Sequence, residues 1–232
     1  VKIKSVRSVF ITGVLMAAPF LTPQVSAQGF FGIGGEESPV PQITLARAEI
    51  TVDVPTPMQG NDFDALLAQA TSGKGISAAK ERAIKHHSEQ LRTALDGRLR
   101  EFFADEEVPL IASNQSLTLH SFIDVSVVKQ LSGLKNSGNY ELERGNLTAG
   151  GDFHFRIQDP NGRVLKERQI DIADLRLQEK YQVKTPLDGS GSEDNTEQQL
   201  DKIMRQLVER IMGQIDDDLE ADSLRELGRP AG

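Results

Sequence analysis

The chain has no cysteine and no tryptophan, and only 5% of its 232 residues are aromatic. Without cysteine there can be no disulfide scaffold, thiolate zinc site, cysteine nucleophile or lipid attachment through an N-terminal cysteine. Catalytic signatures are missing as well: no G-x-S-x-G, H-E-x-x-H, P-loop or dinucleotide fingerprint occurs. Gly189-Ser-Gly-Ser-Glu is glycine-rich but has no strand pattern before it, so it reads as a flexible loop. Positive charge is in deficit, with 26 basic against 34 acidic side chains and a net charge of −8. An acidic chain is repelled by phosphate backbones and anionic lipid surfaces, which argues against nucleic acid as a partner. What remains, 38% hydrophobic and 26% charged residues, is the composition of an ordinary globular domain.

The first 27 residues have the layout of a secretory signal. Lys2, Lys4 and Arg7 precede an apolar stretch from Val9 to Leu21, and Val25-Ser26-Ala27 places small residues where a signal peptidase reads. Cleavage between Ala27 and Gln28 is expected. The apolar run is shorter than the roughly 20 residues a spanning helix needs, and Pro19 and Pro23 break it. Losing three positive charges would take the net charge from −8 to −11. The predicted destination is the periplasm or the exterior, with no stable membrane insertion after cleavage.

Residues 28–42 mix glycine and proline without a period and read as a flexible leader carrying Phe30 and Phe31. A single domain is expected over 43–215. Ile43 to Val54 alternates as one strand, with Thr44, Ala46, Ala48, Ile50, Val52 and Val54 sharing a face. Pro55 and Pro57 end it, and Asp62 can cap a short helix, Phe63 to Ala70. A long amphipathic helix is predicted from Ser77 to about Phe103, its stripe including Ile84, Leu91, Leu95 and Leu99. Gln115 to Val128 is the clearest strand; Gly133 to Gly138 reads as a loop and Tyr140 to Leu147 as a strand. Gly150-Gly151 is expected to end or bulge that strand. Phe153, Phe155 and Ile157 then alternate into an Asp159-Pro160-Asn161-Gly162 turn, with Val164 to Ala173 returning.

Residues 175–195 read as a polar loop, and Asn195 with Gln198 resembles a capping box for a second long helix. Its stripe runs Leu200, Ile203, Met204, Leu207, Val208, Ile211, Met212, Ile215. The acidic residues 216–232 are expected to be a flexible tail. The order predicts an α+β fold, with an antiparallel sheet of about four to five strands and two long helices packed on one face.

With its export signal, this order resembles small Gram-negative envelope proteins of the lipopolysaccharide-assembly lipoprotein type. The resemblance rests on Phe153-His-Phe-Arg-Ile-Gln-Asp-Pro-Asn-Gly-Arg-Val-Leu-Lys-Glu-Arg and on Gln199-Leu-Asp-Lys-Ile-Met-Arg-Gln-Leu-Val-Glu-Arg-Ile. It spans 43–215 and implies plugging or chaperoning of a β-barrel partner. The tethering cysteine of such proteins is absent here.

Two sets of side chains are candidate sites. His120 and Asp124 share one face of a strand, and Asp152 and His154 share one face of another. Paired in register, they could converge on a divalent metal; otherwise they line a solvated sheet face. The neighbours His86 and His87 diverge by about 100° on a helix and are not expected to share an ion. Asp216-Asp217-Asp218 lacks the glycine turn of a calcium loop. On the second helix, Leu200, Met204, Leu207, Ile211 and Met212 form a possible partner edge, set against burial on the domain's own sheet. No cofactor is expected. The residues thus point to an exported, non-enzymatic binding or envelope-assembly protein with an envelope or periplasmic protein as partner. The alternatives are a metal-binding module or metal-dependent hydrolase using His120 and His154, or a soluble carrier of an apolar ligand.

Overall fold

A computed structural model of the chain describes residues 40–55 and 75–228. The signal peptide, leader residues 28–39, the expected helix Phe63 to Ala70 and residues 229–232 lie outside the described residues.

Two long antiparallel strands organise the sheet: β3, Leu117–Asn136, and β4, Tyr140–Gln158. Ahead of them come β1, Ile43–Leu45, β2, Glu49–Asp53, and the helix α1, Gly75–Asp105. After them follow β5, Val164–Asp171, a 3-10 turn Ile172–Leu175, β6, Gln178–Pro186, and β7, Glu193–Asp194. The helices α2, Thr196–Leu219, and α3, Ala221–Leu227, close the described chain.

The fold is α+β, as expected, but the sheet differs from the antiparallel sheet of four to five strands. Among the described residues it has seven strands and is mixed, because β1 and β2 both run parallel to β3. The reason is length. Twenty residues of strand extend about 65 Å, so each long strand accommodates two short neighbours end to end. β1 and β2 share the free side of β3, while β5 and β6 share that of β4. The parallel pairing follows from α1, a crossover long enough to carry the chain back to the start of β3. The expected single strand Ile43 to Val54 is split for a related reason. From Ile43↔Leu117 to Glu49↔Phe122, the chain advances six residues against five on β3. The extra residue reverses the faces, so Ile43 is buried together with Val52 and Val54.

Other boundaries moved because pairing overrides local breakers. β3 continues through the expected loop to Asn136, and the turn is confined to 137–139, with Gly138 at φ +77°. β4 runs unbroken through Gly150-Gly151. Gly151 has φ +121°, and a Cβ there would collide with the carbonyl of Asp124 on β3, so glycine preserves the pairing rather than ending it. The polar stretch after Leu175 contains β6, whose alternation of Tyr181, Val183 and Thr185 among lysines and glutamines is a weak signal. The Asp159–Gly162 turn is present: Asp159 Oδ1 accepts from Asn161 N and Arg163 N at 2.9 Å each. The capping box is not. Asn195 Oδ1 accepts from Gln182 N of β6 at 2.7 Å, and Asp194 Oδ1 serves Thr196 N instead.

Both long helices cover one sheet face, and a third, short helix, α3, which was not expected, follows them. Ile123, Val125, Phe153, Phe155 and Ile157 from the sheet meet Leu91, Leu95, Leu99 and Phe103 of α1, all buried. The proposed partner edge of α2 belongs to this core: Leu200, Met204, Leu207, Ile211 and Met212 are at most 6% exposed. The stripe is wide because α2 packs against β6 and α1 together. The acidic tail is corrected too. Leu219 and Leu224 are fully buried, and Asp218 pairs with Lys166 at 2.7 Å and Arg168 at 2.6 Å of β5. Two apolar anchors and two cations hold what its charge alone would leave free.

Candidate functional site

The sheet face away from the helices carries the even-numbered residues of β3. Here β3 and β4 do pair so that His120, Asp124, Asp152 and His154 share one face: His120 lies opposite Arg156, Phe122 opposite His154 and Asp124 opposite Asp152. Phe122 and Arg156 stand between the two imidazoles. The His154 ring stacks on Phe122 at 4.3 Å and 6°, and the Arg156 guanidinium lies 5.1 Å from the same ring. Asp152 Oδ1 accepts from Gln169 Nε2 at 2.9 Å. Burial lowers the His120 pKa below the ordinary histidine value and the Arg156 charge lowers it further, against opposing effects of Glu49 and Gln158. The arrangement is a cation–aromatic ladder, not a convergence of four ligand atoms. Phe122, between the two candidate ligands of β3, was the legible sign.

His86 and His87 are the unexpected pair. α2 crosses α1 so that Asp201 reaches both, and the ligand atoms of these three residues lie within 4.8 Å of one another. Among the described residues no other group of three does so. Divergence at the helix surface is overcome by the reach of the side chains toward a common third residue, whose position no local pattern encodes.

A cleft of about 510 Å³ opens between the β1–β2 link and α1, lined by Leu45, Leu95, Leu99, Leu119, Arg92 and Arg100 among others. Its charges are answered within the chain. Arg92 donates to Ala48 O at 3.2 Å and pairs with Glu89, and Arg100 pairs with Asp96 at 2.7 Å.

The far half of the β3–β4 ribbon forms an arm. β2 ends where Asp53 meets Ser126, and among the described residues no strand pairs with that side of β3 from Val127 to Asn136. Among the described residues, the backbone N–H and C=O groups along this edge have no strand partner. Of the five exposed large hydrophobics among the described residues, four belong to the arm region: Val128, Leu131, Leu134 and Leu187 are 52–60% exposed, which marks this end apart from the rest of the described surface. The other side of the arm is braced by β6. Tyr181 lies across Gly145, where any Cβ would strike its ring and the carbonyl of Gln130. The Tyr181 hydroxyl donates to Glu143 Oε1 at 2.7 Å, and Lys129 Nζ reaches the same oxygen at 3.0 Å while lying 4.4 Å from the Tyr181 ring centroid. Burial alone would raise the Glu143 pKa, but hydrogen bonds from Tyr181 and Lys129 and the lysine charge outweigh it and hold it below the usual value. Burial and the neighbouring Glu143 raise that of Tyr181. The exposed edge is therefore mounted on a stiff support.

No family model matches the chain, and no curated protein matches it. Solved structures similar to it include bacterial lipoproteins. A homologue of the neuraminyllactose-binding hemagglutinin from Helicobacter pylori shares 12% identity, with 85% of this chain and 96% of that one covered and a TM-score of 0.48. A minor lipoprotein from Acinetobacter baumannii shares 14% identity over 77% of this chain and 94% of its own, with a TM-score of 0.30. For a lipoprotein from Caulobacter crescentus the identity is 13%, the coverage 78% and 93%, and the TM-score 0.26.

Proposed function

We propose that this is an exported, non-enzymatic protein of the cell envelope that binds or helps assemble an envelope protein by adding an extended segment of that partner to the free edge of β3. The observation that carries this reading is the arm: a strand edge with no partner among the described residues, beside exposed Leu131 and Leu134. Strand addition supplies main-chain hydrogen bonds for affinity and side-chain contacts for specificity. Covering the two leucines, each about 60% exposed, contributes about 1–2 kcal/mol each. The edge favours a protein over a lipid occupant, because hydrocarbon offers nothing to unpaired N–H and C=O groups. The resemblance to lipopolysaccharide-assembly lipoproteins implies a β-barrel partner. Closed barrels have no free edges, so the pairing segment on such a partner would be an extended terminus or loop.

A photo-crosslinking residue at Lys135 tests this in cells, with one at Val164 on β5 as the control. The expected result is an adduct to one envelope protein from position 135 only, lost when Leu131→Lys and Leu134→Lys are introduced without change in melting temperature. An adduct confined to this chain's own residues 56–74, or one indifferent to the lysines, overturns the reading.

A further inference from the structure

We propose that His86, His87 and Asp201 form a binding site for one divalent transition-metal ion of the Zn²⁺ class, joining α1 to α2. Two imidazoles and a carboxylate are the donor set that such ions take, whereas Ca²⁺ and Mg²⁺ select oxygens. Asp201 Oδ1 lies 3.7 Å from His87 Nδ1 and 3.9 Å from His86 Nε2. Both separations are too long for hydrogen bonds. They exceed by about half an ångström the spacing of roughly 3.3–3.4 Å between ligands held at 2.0–2.1 Å around a tetrahedral ion. The third separation, His86 to His87, is within 4.8 Å, and rotation of the three side chains has to close all three gaps for the ion to bind.

Two further features point to a missing ligand. Asp201 Oδ1 is shielded from solvent and accepts no hydrogen bond, so a carboxylate oxygen aimed between two imidazoles has no donor. Buried acceptors are rarely left so. The His87 side chain is only 3% exposed, and the contact it makes with Gln90 Oε1 is long, at 3.3 Å. An ion among the three answers the orphaned oxygen and gives the buried ring a reason to be an imidazole. His86 is more than half exposed and forms the open side of the site, leaving a fourth position for water. The consequence is mechanical: a ligand bound only by the folded chain stabilises it by mass action, and this one would fasten the two helices of the core layer.

The test is metal titration of the untagged, full-length protein with Co²⁺ and Zn²⁺. The expected result is one Co²⁺ per chain, with the intense visible absorption of a four-coordinate ion, displaced by Zn²⁺ and accompanied by a higher melting temperature with Zn²⁺. His86→Ala and Asp201→Asn should each weaken Zn²⁺ binding by about tenfold or more, at least the loss typical of an outer-shell change. Both should remain folded without metal, since one site is exposed and the other change is isosteric. His120→Ala combined with His154→Ala should leave the titration unchanged. Absence of a saturable 1:1 site overturns the proposal, as does Zn²⁺ affinity or a Zn²⁺ melting shift that is undiminished in Asp201→Asn.

Discussion

Asp218 gives the sharpest test of how the end of the chain is held. Its carboxylate, 18% exposed, receives Lys166 at 2.7 Å and Arg168 at 2.6 Å, both from β5. Burial would raise its pKa, but hydrogen bonds from the two cations and their charges outweigh burial and hold it below the usual aspartate value. Asp218→Asn keeps the shape, removes the charge and leaves two partly buried cations without their counter-ion. Hydrogen bonds to charged groups contribute about 1.5–3 kcal/mol. Partial exposure of Arg168 and screening by solvent place the combined loss toward the lower end of that range. The sign with pH follows from the depressed pKa. The folded state holds the charged form more tightly than the unfolded chain, so the stabilisation is fully present above the unfolded value of about 3.9. It is lost as pH falls through the folded value below it. Urea denaturation at pH 7 should therefore show the variant less stable by about 1.5–2 kcal/mol with unchanged m, and the gap should narrow steadily below pH 4. An equal stability at pH 7 would mean that 216–219 is the free tail its charge suggests. A gap independent of pH would refute the ion-pair account.

Three further outcomes are expected. Gly145→Ala should destabilise by about 1–3 kcal/mol in urea, as overpacking does, because its Cβ meets the Gln130 carbonyl and the Tyr181 ring; Gly133→Ala, facing open space, should be near neutral. Leu207→Ala, fully buried on α2, should cost about 2–5 kcal/mol, and a loss below 1 kcal/mol would return this helix to the role of a partner surface. The lowered His120 pKa means that the unfolded chain takes up a proton which the folded one refuses. Thermal stability should therefore fall as pH drops through and below about 6.5, and His120→Gln should flatten that slope between pH 7 and pH 5.

Much of the core could be read locally. The stripe Leu91, Leu95, Leu99 and the eight-residue stripe of α2 predicted which helix faces are buried, and Phe153, Phe155 and Ile157 predicted the inner face of β4. The errors share one cause. Glycine at 150 and 151, the polar run containing β6 and the acid-rich residues after Asp216 all look like breaks when judged by neighbours in sequence. Each is held by a distant partner: Asp124 opposite Asp152 beside Gly151, Gly145 opposite Tyr181, and Lys166 with Arg168 around Asp218. The candidate sites were legible in the same measure. Alternation put His120 with Asp124 and Asp152 with His154, whereas the register that brings the two pairs to one face and the meeting of His86, His87 and Asp201 were not legible.

The sequence by itself determined the class of the fold, the faces of its two long helices, the turn at Asp159–Gly162 and the expectation of export. These rest on composition and on periods of two and three to four residues, which act within one element. Only the tertiary structure decided that β1 and β2 lie parallel to β3, that no described strand pairs with one side of β3 along the arm, and that Asp201 comes between two histidines. Which segment fills an edge, and which side chains meet across two helices, depends on how all the elements together bury their apolar faces. No stretch of neighbouring residues carries that information.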